Sequence, residues 1–253
     1  MLEIRDLSVS YGAKPVLQGV NACLEPGKLT VLVGRNGSGK STLLGCVNQR
    51  IQYRGSILLD GTDLAGMKPR DRARQIAILP QSLPWPHITV RETAAFGRNP
   101  YLDFTGRLTR EDWTVTEKAL ERCGVLSLAE RYADTLSGGE KQRLALAMIL
   151  AQNTDILLLD EPTAHLDQSS EREFLTLLKQ QQKTLGRTCL VILHDLTQAV
   201  RYGDNLMVLD GGKLIFSGTR EQCLEEEILE KTFHLRRFTL LDGGEERIFL
   251  SAD

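Results

Sequence analysis

The sequence predicts an α/β fold: a parallel sheet covered on both sides, with an antiparallel β layer at its start and an all-helical insertion. Three observations carry that prediction. Near-continuous apolar runs (Leu29 to Val33, Ile156 to Leu159, Thr188 to Leu193) read as strands buried on both faces. Helical patterns alternate with them, as a parallel sheet requires. From Thr89 to Gln152 the strand signal almost vanishes and helical periodicity takes over.

Taken in order, Leu2 to Ser10 alternates apolar and polar residues and reads as a half-buried strand ended by Tyr11-Gly12. Leu17 to Leu24 predicts a second strand and Pro26-Gly27 a turn, leading into Leu29 to Val33. Ser56 to Asp60 and Gln75 to Leu79 are further strands, stopped by Asp60-Gly61 and Pro80. The character changes near Pro84-Trp85-Pro86. The expected domains are a core of residues 1–84 and 153–253 and a helical insertion of residues 85–152. Within the insertion, Asp112 to Cys123 and Gly138 to Gln152 are the clearest helices, the second with Leu144, Met148 and Ala151 on one face. After the strand Ile156 to Leu159 come a helix from about Gln168 to Leu185 and the strand Thr188 to Leu193. A hairpin follows, Leu206 to Leu209 with Lys213 to Phe216 around Asp210-Gly211-Gly212, and Arg247 to Leu250 reads as a last strand.

Composition narrows the function. A chain of 253 residues with 42% hydrophobic and 25% charged content is an ordinary globular protein, long enough for a real core. Its net charge of −2, with no basic run standing out, argues against a nucleic-acid partner. Glu225-Glu226-Glu227 reads as a solvated helix face. Cys23, Cys46, Cys123, Cys189 and Cys223 are odd in number, scattered and without a C-x-x-C pair, so they read as reduced and mostly buried. Neither a signal peptide nor a bilayer-spanning apolar run is expected, so any work at a membrane needs another chain to span it.

Chemistry enters at Gly34-Arg35-Asn36-Gly37-Ser38-Gly39-Lys40-Ser41, between the strand Leu29 to Val33 and a helix opening with Thr42. Glycines let such a loop curl its N–H groups around phosphate oxygens, with Lys40 reaching the β- and γ-phosphates and the Ser41 hydroxyl ligating Mg²⁺. That predicts a bound nucleoside triphosphate. The strand Ile156 to Leu159 delivers Asp160 and Glu161 at its C-terminal end, where ligands of parallel sheets bind. Asp160 would hold Mg²⁺ through its water shell and Glu161 would act as general base on a water. At Leu136-Ser137-Gly138-Gly139-Glu140 two readings hold together: an S-x-x-E capping box, and a helix start left bare for an anion. Capping alone does not account for two glycines, each costing roughly 1 kcal/mol relative to alanine in a helix.

These motifs resemble those of the ATP-binding cassette (ABC) ATPases, over nearly the whole chain and in the family's order. Gly34 to Ser41 is similar to the Walker A motif, Ile156 to Glu161 to Walker B and Leu136 to Glu140 to the signature. The resemblance implies a P-loop NTPase (RecA-like) core, with ATP and Mg²⁺ as cofactors. It implies that Tyr11 stacks on adenine and that residues 34–42 hold the nucleotide. Gln81 resembles the Q-loop glutamine that touches Mg²⁺ and water, Ala164-His165-Leu166-Asp167 the D-loop, and His194 the switch histidine at the γ-phosphate. Glu140 stands where the family usually has glutamine; a capping box accepts either, so the helix start is expected to survive. His165 is another departure and reads as a turn residue. By themselves Tyr11 reads as a strand-end aromatic and His194 as a cap of the next helix. His87 and His234 read as surface residues, Trp85 and Trp113 as packing residues.

The resemblance further implies two cassettes in the working unit, each ATP lying between Lys40 of one copy and Ser137 of the other. It implies a membrane-spanning permease docked on the helical insertion, at a groove lined by Gln81 to Asn99, and a solute-binding protein beyond it. The protein would then be peripheral to the cytoplasmic face of the inner membrane. Thr89-Val90-Arg91-Glu92, Phe96 to Leu102, Gly106-Arg107-Leu108 and Leu193 to Ala199 resemble importers of ferric siderophores, ferric citrate, haem and cobalamin, most of all the iron-chelate group. Two alternatives stay open. A soluble ABC ATPase of assembly or scaffolding would not co-purify with a polytopic membrane protein, and a small-molecule P-loop kinase would leave Leu136 to Glu140 unexplained.

Overall fold

The computed structural model describes residues 1–164, 166–242 and 245–252. Along the chain run β1 (Leu2–Tyr11), β2 (Lys14–Leu24), β3 (Leu29–Val33), α1 (Lys40–Val47), β4 (Arg54–Leu59), β5 (Thr62–Asp63), α2 (Pro69–Ala73) and β6 (Ile76–Leu79). Then come α3 (Val90–Ala95), α4 (Arg110–Arg122), α5 (Gly138–Ala151), β7 (Ile156–Leu159), α6 (Gln168–Leu185), β8 (Thr188–Ile192) and α7 (Leu196–Tyr202). The chain closes with β9 (Asn205–Asp210), β10 (Lys213–Thr219), α8 (Arg220–Glu225), α9 (Ile228–Phe233), β11 (Leu235–Asp242) and β12 (Glu245–Ala252).

The chain forms two compact units, Met1–Gly66 with Thr188–Asp253, and Met67–Arg187. In the first, β2, β1, β4 and β5 make an antiparallel sheet in that order, the layer expected at the start of the chain. Leu2, Ile4, Leu7 and Val9 of β1 are buried, as its alternation dictates. Strand β3 lies parallel to both β8 and β9, while β10 folds back on β9 as the predicted hairpin. Every residue of β3 and β8 is buried, which is why these strands read as unbroken apolar runs. The acidic run does not form a helix face. Glu225 ends α8, Glu226 caps it and Glu227 turns the chain with φ 53°, so the run is a helix–helix corner.

In the second unit β6 and β7 pair in parallel, Ile76 opposite Ile156 and Leu79 opposite Leu159. Helices dominate the rest, and side-chain caps fix the starts of all but α2, which Pro69 opens. Thr89 with Glu92 opens α3, Thr109 with Asp112 opens α4, Ser137 with Glu140 opens α5, and Asp167 opens α6. Asp112 also accepts from buried Arg98 (Nε to Oδ1, 2.9 Å), whose Nη1 donates to the Ala151 carbonyl at 2.8 Å, so Arg98 ties the start of α4 to the end of α5. Cys23 is exposed and the other four cysteines are buried, all free thiols; burial pushes the Cys123 thiol up to about 12.

Candidate active site

In the first unit the loop 34–39 joins β3 to α1 in a shape the chain itself enforces. Gly37 (φ 78°) and Gly39 (φ 107°) occupy backbone space that side chains rarely enter. A Cβ on Gly34 would lie 2.3 Å from the Leu209 carbonyl oxygen, and one on Gly39 would lie 2.7 Å from Leu17 Cδ2. Lys40 is buried and folds back over the loop, its Nζ donating to the carbonyls of Gly34 (2.9 Å) and Arg35 (3.3 Å). The buried Ser38 hydroxyl has no hydrogen-bond partner among the described residues. Arg35 reaches outward and donates to the Thr232 carbonyl at 3.0 Å. Ser41 and Thr42 lie in the first turn of α1, where backbone N–H groups and the helix dipole favour an anion.

Two more predicted residues belong to this unit. Tyr11 ends β1 with 56% of its surface exposed, a ring open to stacking. His194 follows β8 and is exposed. It does not cap the next helix; Asp195 does, accepting from the N–H groups of Thr197 (2.7 Å) and Gln198 (3.1 Å).

The second unit brings Gln81 and Glu161 together: the Gln81 amide donates to Glu161 Oε2 at 2.7 Å. Glu161 has φ 48°, a left-handed conformation uncommon away from glycine. It follows directly on the fully buried β7 and on Asp160, whose N–H is held by the Leu79 carbonyl at 2.9 Å. A non-glycine residue in that conformation beside a ligand end of a sheet is the kind of strain found at working sites.

The Ser137 end is built as a cap. The Ser137 N–H and hydroxyl both donate to Glu140 Oε2 at 2.8 Å, and the Glu140 N–H returns to Ser137 Oγ at 3.3 Å. Glu140 in place of glutamine therefore keeps the helix start. Those hydrogen bonds, the Ser137 N–H first, hold the Glu140 carboxyl below the usual range. Gly138 and Gly139 differ from the loop glycines: among the described residues an added Cβ would meet nothing closer than 3.8 Å and 3.7 Å. Together with Ser137 and Asp167 they line an open recess of about 630 Å³, rimmed by Arg143 and Glu173. Asp167 caps α6 through Ser170 and is held low by those bonds. His165 lies outside the described residues.

Sequence reasoning missed the Gly34–Leu209 approach, the Arg35–Thr232 contact and the left-handed Glu161, none of which has a local signal. It also left α3 and α8 without starts, although Thr89-x-x-Glu92 and Thr219-x-x-Gln222 are capping boxes. His87 is exposed as expected, yet it stacks on Tyr132 and its Nδ1 lies 2.9 Å from Asp134 Oδ2.

A family model described as "ABC transporter" matches residues 17–164. The chain is 38% identical to the iron(3+)-hydroxamate import ATP-binding protein FhuC of Bacillus subtilis, covering 92% of this chain and 88% of that one. It is 37% identical to the hemin import ATP-binding protein HmuV of Chelativorans sp., covering 96% and 95%. Among solved structures it superposes on cbiO1 of Clostridium perfringens, part of the ABC transporter complex cbiONQ, with a TM-score of 0.80 at 29% identity over 91% and 92% of the two chains.

Proposed function

The chain belongs to the ABC transporter family, and from that membership and the site geometry we propose that it is the ATP-hydrolysing subunit of an iron-chelate importer. The reading of the solute rests on relatives named for hydroxamate and hemin import at nearly equal identity. It takes ferric siderophore or ferric citrate as the first solutes to test, with haem and cobalamin next.

ATP binds the loop 34–42, Lys40 neutralising the β- and γ-phosphates and Tyr11 stacking on the base. No group of three or more His, Cys, Asp or Glu that could hold a metal occurs among the described residues. By donor type alone, the Ser41 hydroxyl in one unit and the Asp160 carboxylate and Gln81 amide oxygen in the other suit a hard cation that arrives with most of its ligands as phosphate oxygens and water. Mg²⁺ held by such oxygens would neutralise charge on the transferring phosphoryl group. Glu161, oriented by Gln81, accepts a proton from the attacking water, and His194 contacts the γ-phosphate.

Ser137, Gly138 and Gly139 serve a second copy. The observation that carries this is the pair of glycines that no described residue crowds and whose backbone demands no positive φ. Space kept clear above a helix start fits a phosphate brought from outside, and the opposing copy is its natural source. Asp167 and Glu140 line the same face. ATP then joins two cassettes, and hydrolysis releases them.

The helical segment 85–152 meets the permease. A groove of about 240 Å³ lined by Leu83, Trp85, Phe96, Leu144 and Met148 is apolar enough to take a short helix. Phe96 is 46% exposed there, whereas Arg91 is engaged with Glu117 (3.3 Å) and Glu130 (3.5 Å). Phe96→Asp is therefore the cleaner test of docking, and unchanged permease assembly would reject the groove. No helix among the described residues is long and apolar enough to cross a membrane. The protein acts at the cytoplasmic face through its permease, which a solute-binding protein supplies from the other side.

Reconstitution with the permease and solute-binding protein encoded beside it tests the function, by ATP-dependent uptake of each iron chelate in turn. Uptake of none, or a cassette that never co-purifies with a polytopic protein, would favour a soluble assembly ATPase. Glu161→Gln is expected to keep ATP binding, lower turnover by about 10²–10⁴ and accumulate a closed pair. Turnover at the parental rate would remove Glu161 as the base.

A further inference from the structure

One surface of the second unit takes no part in the mechanism. Residues 68–74 hold Lys68, Arg70, Arg72 and Arg74 against the single carboxylate of Asp71, in a chain of net charge −2. Alternation with other residues hides this cluster from a search for basic runs. Arg70 Nε (2.8 Å) and Arg74 Nε (3.0 Å) both donate to the Pro100 carbonyl, which gathers α2 against the segment leading into the loop 102–109.

That loop is a formed turn. The Gly106 N–H donates to the Asp103 carbonyl at 3.2 Å and the Thr105 N–H to Asp103 Oδ1 at 2.8 Å. Hydrogen bonds from Thr105, and more weakly the charge of Arg70, hold the Asp103 carboxyl below its ordinary value. At the tip stands Phe104, 99% exposed, with exposed Arg107 three residues on. A single exposed apolar side chain needs no explanation. A phenylalanine held out on an ordered turn beside several cations has the make-up of a membrane-surface contact: charges toward lipid phosphates, ring into the headgroup boundary.

We propose that this corner, exposed Phe104 and Arg107 on their turn with the cation-bearing segment 68–74 tied to it through the Pro100 carbonyl, rests directly on an anionic lipid surface. A protein partner would offer the ring a pocket and hold it edge-on; a ring held out on a turn, next to a segment rich in cations, suits a fluid interface, which needs no matching shape. The contact deepens the importer reading and rests on it only for placing the protein at a membrane. It would add a second hold on the bilayer besides the permease.

The test is co-sedimentation of the full chain, without permease, on vesicles of phosphatidylcholine alone or mixed with phosphatidylglycerol. Partition onto the anionic vesicles is expected to exceed that onto the neutral ones by about tenfold or more and to fall as salt rises. Phe104→Ala and the double variant Lys68→Glu with Arg107→Glu should each lower it by about tenfold, with ATP hydrolysis unchanged. Equal partition on both vesicles, or variants that bind like the parent, would overturn the proposal. So would Phe104→Ala losing permease assembly in detergent while keeping parental vesicle binding, since that assigns the corner to a protein partner. Failure of iron-chelate uptake leaves the vesicle result standing, and the reverse holds equally.

Discussion

The two glycine-rich stretches of the chain look alike in sequence and differ in what enforces them. At the loop 34–39 the protein itself demands glycine: Gly34 sits under the Leu209 carbonyl, and Gly37 and Gly39 hold positive φ. At the α5 start nothing among the described residues does. Gly138 and Gly139 are helical, with room for a methyl group. On the reading proposed above, the loop is a finished phosphate cradle, whereas the α5 start is half of a site kept clear for another molecule. A protein that spends helix stability on two unforced glycines has a use for bare backbone.

Substitutions separate the two halves. Gly34→Ala forces a Cβ onto backbone and should cost on the order of 2–3 kcal/mol of stability along with nucleotide binding, read by urea unfolding and ATP titration. A stable Gly34→Ala protein that still binds ATP would erase the contrast. Lys40→Ala removes charge-assisted hydrogen bonds to phosphate and should weaken ATP binding by about 2 kcal/mol, roughly thirtyfold, in the same titration. Gly138→Ala should move stability and activity in opposite directions: unfolding later by up to about 1 kcal/mol, ATP binding by the single chain unchanged, and turnover down by tenfold or more. If stability and turnover fell together, Gly138 would belong with the loop glycines.

The smallest effect is electrostatic. The folded Glu140 carboxyl lies below its unfolded value, so the unfolded chain binds the proton more readily as the pH drops. Its contribution is fully present above the ordinary glutamate range and is lost as the pH falls through the lowered folded value. Against Glu140→Gln, the parent should gain no more than about 0.5 kcal/mol near neutrality, since the side chain is partly exposed, and that margin should close on acidification. A margin constant with pH would separate the cap from the carboxylate charge.

Much of the fold was legible because its signals are local. The run Leu29 to Val33 and the run Ile156 to Leu159 match β3 and β7, and Asp167 at the cap with Gly186 beyond Leu185 bounds α6 where expected. Short elements escaped. β5 is two residues long, and α7, α8 and α9 span seven, six and six, too few for a helical period to emerge. Strand β11 gave no signal because, among the described residues, it pairs only with β12, and its Phe238 and Leu240 are exposed, so no buried face sets it apart. At the site, motif residues are readable because phosphate chemistry restricts which types fit. What positions them is not: Leu209 crowds Gly34 from far along the chain, and the left-handed Glu161 depends on the strand pair behind it.

The central claim is that each copy completes its neighbour's nucleotide site. Exposed Cys23 is changed to serine, leaving buried thiols, and Asn36→Cys and Ser137→Cys are made in separate chains carrying Glu161→Gln. The two are mixed and treated with a short bifunctional thiol crosslinker. The account predicts a linked pair that forms only when both variants and ATP are present. A crosslink formed inside one chain carrying both substitutions, with no linked pair in the mixture, would contradict it.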